Sequence, residues 1–217
     1  MGVHIDKFGL SYFSVPKVAC SSLKHFLFQI ENGFAFRNFW ANGKYYTIHN
    51  VCYSSRPFEK EKALVGKDKF TFAVVRDPVS RFISAYRDKV AGRCIAPARD
   101  LTDRDRDNGM VPEPDLGTFV ANLERYRDLS PEVRRHTEPM TFYLGTDPAF
   151  FDRIYGMREL DEVVEDVRQR VGGTVPALPH RNASTPPEGG AQDLSDRQDA
   201  AVRNYYAEDY RIFGAWV

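Results

Sequence analysis

The chain has 217 residues, enough for one α/β domain with a substantial core, and its 30 Lys and Arg balance 30 Asp and Glu. No global field therefore draws it to nucleic acid or an anionic membrane, and any polyanion must be met by a local pocket. Three cysteines (Cys20, Cys52, Cys94) without a CxxC pair argue against a disulfide framework and a structural zinc site; with no long apolar run and no charged-then-apolar leader, a reducing, cytoplasmic setting without a membrane span is expected.

Residues 8–15, FGLSYFSV, predict a first strand closed by Pro16. Lys17, Val18, Ala19, Cys20, Ser21 and Ser22 follow as a loop of mostly small residues. Leu23, Phe26, Leu27 and Ile30 then recur at helical spacing, so a helix begins near Ser21 or Ser22, either of which could cap it. Strand, small-residue loop and helix together turn backbone N–H groups toward a phosphate. The GxxxxGK[ST] of the usual nucleotide loop is absent, which argues against an ordinary ATP or GTP site. Lys17 enters on the strand side of the loop, and Lys24 lies on the first turn of the helix.

Residues 34–55 are aromatic-rich, and Asn42-Gly43 between Trp40 and Tyr45 predicts a hairpin or a loop-strand element. His49 stands out there; hydrogen bonding in a half-buried strand is its plainest reading. Residues 56–69 are charged and predict a short surface helix or loop.

Phe70 to Val75 is an apolar, β-branched and aromatic run suited to a buried strand. Arg76 ends it, Asp77 is a good N-cap and Pro78 suits the first helical position. Val79, Phe82, Ile83, Tyr86 and Val90 then form one apolar stripe, with Asp77, Ser80, Arg81 and Ser84 opposite. A cation at the strand end and a hydroxyl two turns into the helix outline an anion pocket; a simple Arg76–Asp77 ion pair is the competing reading.

Two stretches carry a resemblance to a known family. Val15-Pro16-Lys17-Val18-Ala19-Cys20-Ser21-Ser22-Leu23-Lys24 resembles the 5′-phosphosulfate loop of the carbohydrate sulfotransferases, close to PKxACTxxK. Val75 to Lys89 resembles their 3′-phosphate motif, RDPxxRxxSxYRDK. The resemblance implies a P-loop NTPase-like three-layer α/β/α sandwich with a central, mainly parallel sheet, forming a single domain over residues 1–217. It also implies the cofactor 3′-phosphoadenosine-5′-phosphosulfate (PAPS) and a hydroxyl acceptor, a carbohydrate in the relatives that match best. Carried over, Lys17, Val18, Ala19, Cys20, Ser21 and Ser22 hold the 5′-phosphosulfate, and Arg76 and Ser84 the 3′-phosphate. In the heparan-sulfate branch a histidine between the two motifs is the catalytic base, and His49 occupies a comparable place.

Residues 93–116, with Pro97, Pro112, Pro114 and the run RDLTDRDRDNG, predict a solvated loop or an acceptor-side lid. Phe119, Leu123 and Tyr126 mark a helix, and Ser130-Pro131 can start another. His136 to Leu144 resembles a family segment near HxxPQxxYL, with Met140 where glutamine is usual. Asp152 to Met157 predicts a short strand, and Leu160, Val163, Val164, Val167 and Val171 a helix stopped by Gly172-Gly173. Residues 175–193 predict an exposed connector; the resemblance implies instead a late loop that closes over the cofactor, with His180, Arg181 and Asn182 as candidates and Arg181 the best for phosphate. Ser195 to Gln198 is a capping box opening a last helix. The terminal YYAEDYRIFGAWV resembles the family's FYxxDYxxF ending.

Three other classes are weighed. A P-loop kinase would share the strand-loop-helix but lacks its glycines and GK[ST] here. A cysteine phosphatase on Cys20 would need CxxxxxR, and Phe26 stands where the arginine should be. A non-catalytic carbohydrate-binding protein could use Phe39, Trp40, Tyr45 and Tyr46 but leaves both anion motifs without a purpose.

Overall fold

The computed structural model describes residues 2–54, 56–66, 68–179 and 194–217, which fall into two compact units. Residues 2–76, 140–179 and 212–217 belong to the first, and 77–139 and 194–211 to the second.

The first unit is built on a four-stranded sheet in the order β1-β2-β5-β6. Strands β2 (Leu10–Phe13), β5 (Phe70–Val75) and β6 (Arg153–Gly156) are parallel, and β1 (Val3–Ile5) is an antiparallel edge strand. The hairpin of β3 (Phe39–Ala41) and β4 (Lys44–Tyr46) forms a separate sheet, turning at Asn42 and Gly43, both at positive φ. The predicted first strand is shorter than expected, because Asp6–Phe8 forms a 3-10 turn that Gly9 (φ 58°) reverses into β2.

Helices cover both faces of the main sheet. On one face Phe13 meets Phe150 and Phe151 edge-on, each 5.3 Å between centroids, together with Phe58 of α3 (Phe58–Lys62). On the other, Arg170 of α10 (Leu160–Val171) lies 3.4 Å over the Phe70 ring. Val163 and Val167 of α10 complete the core with Leu23, Phe26 and Leu27 of α1 (Cys20–Asn32). The unit is mixed α/β with a central, mostly parallel sheet flanked by helices, as the resemblance implies. α2 (Ile48–Val51) and α9 (Met140–Leu144) complete its helices, and α12 (Ala207–Phe213) ends in it.

The second unit is helical: α4 (Pro78–Lys89), α5 (Asp103–Asp107), α6 (Leu116–Ala121), α7 (Leu123–Leu129), α8 (Pro131–Thr137) and α11 (Asp196–Tyr205). Asp77 caps α4 as expected, accepting from Ser80 N at 2.8 Å. Val79, Phe82, Tyr86 and Val90 join its core, where Phe82 stacks on Phe119. Two residues of the face opposite that stripe, Arg81 and Ser84, are buried as well, while Ser80 is exposed. Arg81, fully buried, donates to the carbonyls of His136 (3.4 Å) and Glu138 (2.6 Å) at the end of α8, and its guanidinium faces the Tyr206 ring. Replacing Arg81 with alanine is expected to cost about 2–4 kcal/mol in denaturant unfolding, since two carbonyls lose a charged donor.

The segment 93–116 is mostly exposed, as its composition predicts, but it carries a short helix and buried apolar anchors. Ala96, Leu101 and Met110 are buried, α5 opens with a Thr102 capping box, and Asp105 takes a two-pronged bond from Arg125 at 2.8 and 3.0 Å. Arg125 and the Thr102 donors hold the Asp105 carboxyl well below the usual carboxylate range. Of the charges read as solvating, Asp105 is paired with a residue twenty positions on, a spacing that local pattern reading does not register.

Candidate functional site

Parallel pairing of β2 with β5, with Phe13 opposite Ala73, sends both strands out of the sheet at the same end. In parallel α/β sheets the carboxyl ends of strands are where ligands sit. The two sequence motifs begin there, one after each strand. Arg76 Nη1 donates to the backbone carbonyl of Lys17 at 3.2 Å, so the end of β5 is tied directly to the loop after β2. Asp77 accepts from Ser80 N and from Tyr210 Oη, both at 2.8 Å. Those bonds hold the Asp77 carboxyl below its ordinary value against the opposing effect of burial.

The loop itself is strained. Lys17 (φ 68°) and Ala19 (φ 46°) both occupy the left-handed region, where a Cβ is disfavoured. Alternating handedness of this kind curls successive N–H groups toward one side of the chain, the geometry of an anion cradle. Val18 is buried between them and anchors the loop to the core. Helix α1 starts at Cys20 with Ala19 as its N-cap and no side-chain cap, so neither Ser21 nor Ser22 caps it as expected. Both hydroxyls fall inside the first turn, at the positive end of a 13-residue helix. This donor set of curled amides, helix terminus, lysine and arginine fits a phosphosulfate group.

His49 is not in a strand. The hairpin closes at Tyr46, and His49 lies on the one-turn helix α2, fixed by a capping box between Thr47 and Asn50. Its Nε2 is 2.8 Å from Ser21 Oγ and its Nδ1 is 3.3 Å from Lys24 Nζ. Lys24, barely exposed at 1%, also donates to the Tyr53 carbonyl at 3.1 Å. Ser21, Lys24, Phe28 and Glu31 share one face of α1, and the segment His49–Tyr53 covers it. Phe28 packs edge-on against the Tyr53 ring, and Tyr53 Oη donates to Glu31 at 3.1 Å. Burial and Glu31 together push the Tyr53 hydroxyl well above its usual value. Sequence reading noted Lys24 as a first-turn lysine but missed its burial; the signal lay in the i, i+3, i+7, i+10 spacing of those four residues.

The remaining predicted residues fall elsewhere. Ser84 is buried on α4 of the second unit. His136 ends α8 there; its Nδ1 donates to the Glu132 carbonyl at 2.8 Å, and burial, with Lys89 and Arg135 nearby, lowers its pKa to about 4. Arg181, with His180 and Asn182, lies outside the described residues, whereas Val175 and Leu178 of the same stretch pack on the core. Among the described residues no cluster of three or more His, Cys, Asp or Glu could hold a metal ion, and no helix is long and apolar enough to cross a membrane.

The family model described as the sulfotransferase family matches residues 3–214, a span that runs through both units. No curated protein and no solved structure matches the chain.

Proposed function

On the premise that the chain belongs to the sulfotransferase family, we propose that it moves a sulfuryl group from PAPS to the hydroxyl of a carbohydrate acceptor. Sulfuryl transfer as such follows from the family; the donor, the acceptor class and the residue roles are our reading. We take residues 1–217 as one such catalytic domain. The observation that carries the reading is the bond from Arg76 to the Lys17 carbonyl. It joins the two motif-bearing strand ends, so one bisphosphorylated nucleotide can be gripped by both.

When bound, PAPS supplies a sulfuryl group already activated by its phosphate leaving group. Lys17 and the backbone amides from Val18 to Ser22 would neutralise charge growing on the leaving oxygen. Arg76 would pair with the 3′-phosphate through charged hydrogen bonds; Ser84 is assigned to the same group on its motif alone, and Arg181 to phosphate on its sequence alone. His49 would take the proton of the attacking hydroxyl, its Nε2 facing Ser21 in the loop that would hold the donor. The carbohydrate assignment gains support from the hairpin that leads into α2. Trp40, 72% exposed, pairs with Tyr45 across the strands at 5.1 Å, an open aromatic face of the kind sugar rings stack on.

Arg76→Ala tests the carrying observation. Calorimetric titration with adenosine 3′,5′-bisphosphate should show binding weakened by about 1.5–3 kcal/mol, the usual loss for a charged hydrogen bond. Unchanged affinity would remove Arg76 from the site.

A further inference from the structure

We propose that Lys24 and His49 form one proton-handling pair, with Lys24 as the positioning residue that sets which nitrogen of His49 can act as base. The inference rests on the transfer reading above and adds a residue to it.

The Tyr53 carbonyl can only accept, so one N–H of Lys24 is committed to it. With the amine charged, all its contacts are donations, and His49 Nδ1 must accept across the 3.3 Å contact. The imidazole hydrogen then sits on Nε2 and is donated to Ser21 Oγ. In this arrangement Nε2 has no lone pair for an acceptor hydroxyl, and the protein is at rest. Loss of the single proton that the pair shares reverses the order. The neutral amine accepts from Nδ1–H while keeping its bond to Tyr53, and the lone pair appears on Nε2. The pair is therefore competent only in its lighter form.

The step then balances. The acceptor oxygen takes the place of Ser21 Oγ beside Nε2, and its bond to sulfur forms as the bond from sulfur to the leaving phosphate oxygen breaks. The electron pair of that broken bond stays on the bisphosphate. The hydroxyl proton passes to Nε2, the Nδ1 hydrogen passes to Lys24 Nζ, and water removes the extra proton between turnovers. Burial of Lys24 (1% exposed) keeps bulk water from taking its place behind the ring. The other ionisable groups on adjoining elements are Cys20, His25 and Glu31 on α1, Cys52 and Tyr53 beyond α2, and Lys17 and Arg76 at the loop. Glu31 is engaged by Tyr53 Oη.

Nitrogen-15 NMR of the histidine side chains reads the tautomer directly. In the wild-type protein the neutral His49 ring should hold its hydrogen on Nε2 below the ascending limb of the pH–rate profile and move it to Nδ1 as pH rises through that limb. Lys24→Met, which keeps the aliphatic stem, should shift the His49 ring-nitrogen signals, displace that limb and lower kcat roughly tenfold or more. It should leave adenosine 3′,5′-bisphosphate affinity within about threefold. A His49 that keeps one tautomer throughout, or a pH limb that stays put in Lys24→Met, overturns the pair; the first result needs no variant to fold. Absence of bisphosphate binding by the wild-type chain would instead overturn the transfer reading, and the relay with it.

Discussion

Lys17→Ala should slow turnover by about 100-fold while leaving the KM for PAPS within about threefold. The asymmetry follows from what the side chain would meet. In the ground state the bridging oxygen carries little charge, and under the proposed assignment the amides of the loop and the α1 terminus would share the rest of the phosphosulfate. As the bond to sulfur breaks, charge accumulates on that oxygen, and a positioned ammonium is worth most then. The left-handed backbone at Lys17 and Ala19 would fix the loop for this task. Because Lys17 offers its carbonyl to Arg76 whatever its side chain, alanine leaves that tie in place. A Lys17→Ala protein that turns over normally, or whose KM for PAPS rises in proportion to the lost rate, would contradict the assignment.

His49→Ala should be at least as damaging, lowering kcat by roughly 10²- to 10⁴-fold, the range for loss of a general base. The histidine is held on three sides: by the Thr47–Asn50 capping box, by Ser21 and by Lys24. Such a ring is already oriented, so the loss should appear in kcat rather than in donor affinity. His49→Asn should not rescue it, because an amide restores hydrogen bonding without basicity. Near-normal turnover in His49→Ala would end the base assignment and turn the Ser21–His49–Lys24 cluster into a packing feature.

Much of this arrangement was legible in the chain, for identifiable reasons. The β5–α4 junction announces itself through a β-branched and aromatic run, an aspartate cap and a proline in the first turn, all local signals. The Asn42-Gly43 hairpin, the α10 helix and the Ser195 capping box are local in the same way. What stayed hidden depends on partners distant in sequence. β1 is three residues long and exists because β2 pairs with it. The start of α1 was misplaced because Ala19 adopts a left-handed conformation that its side chain does not advertise. Asp105 could not be told from its exposed charged neighbours because its partner Arg125 is twenty residues away. Arg81 falls opposite the apolar stripe of α4, yet it is buried and serves the end of α8. His49 was found as a residue but placed in the wrong element, since a one-turn helix leaves no periodic trace.

Sulfuryl transfer from this chain stands on a pair of neighbouring parallel strands whose ends are bonded to each other. Calorimetric titration of the wild-type protein with adenosine 3′,5′-bisphosphate, run beside ATP, measures that most directly. Saturable one-to-one binding of the bisphosphate, at least about tenfold tighter than ATP, is the predicted result; silence toward the bisphosphate, or equal affinity for ATP, would contradict it.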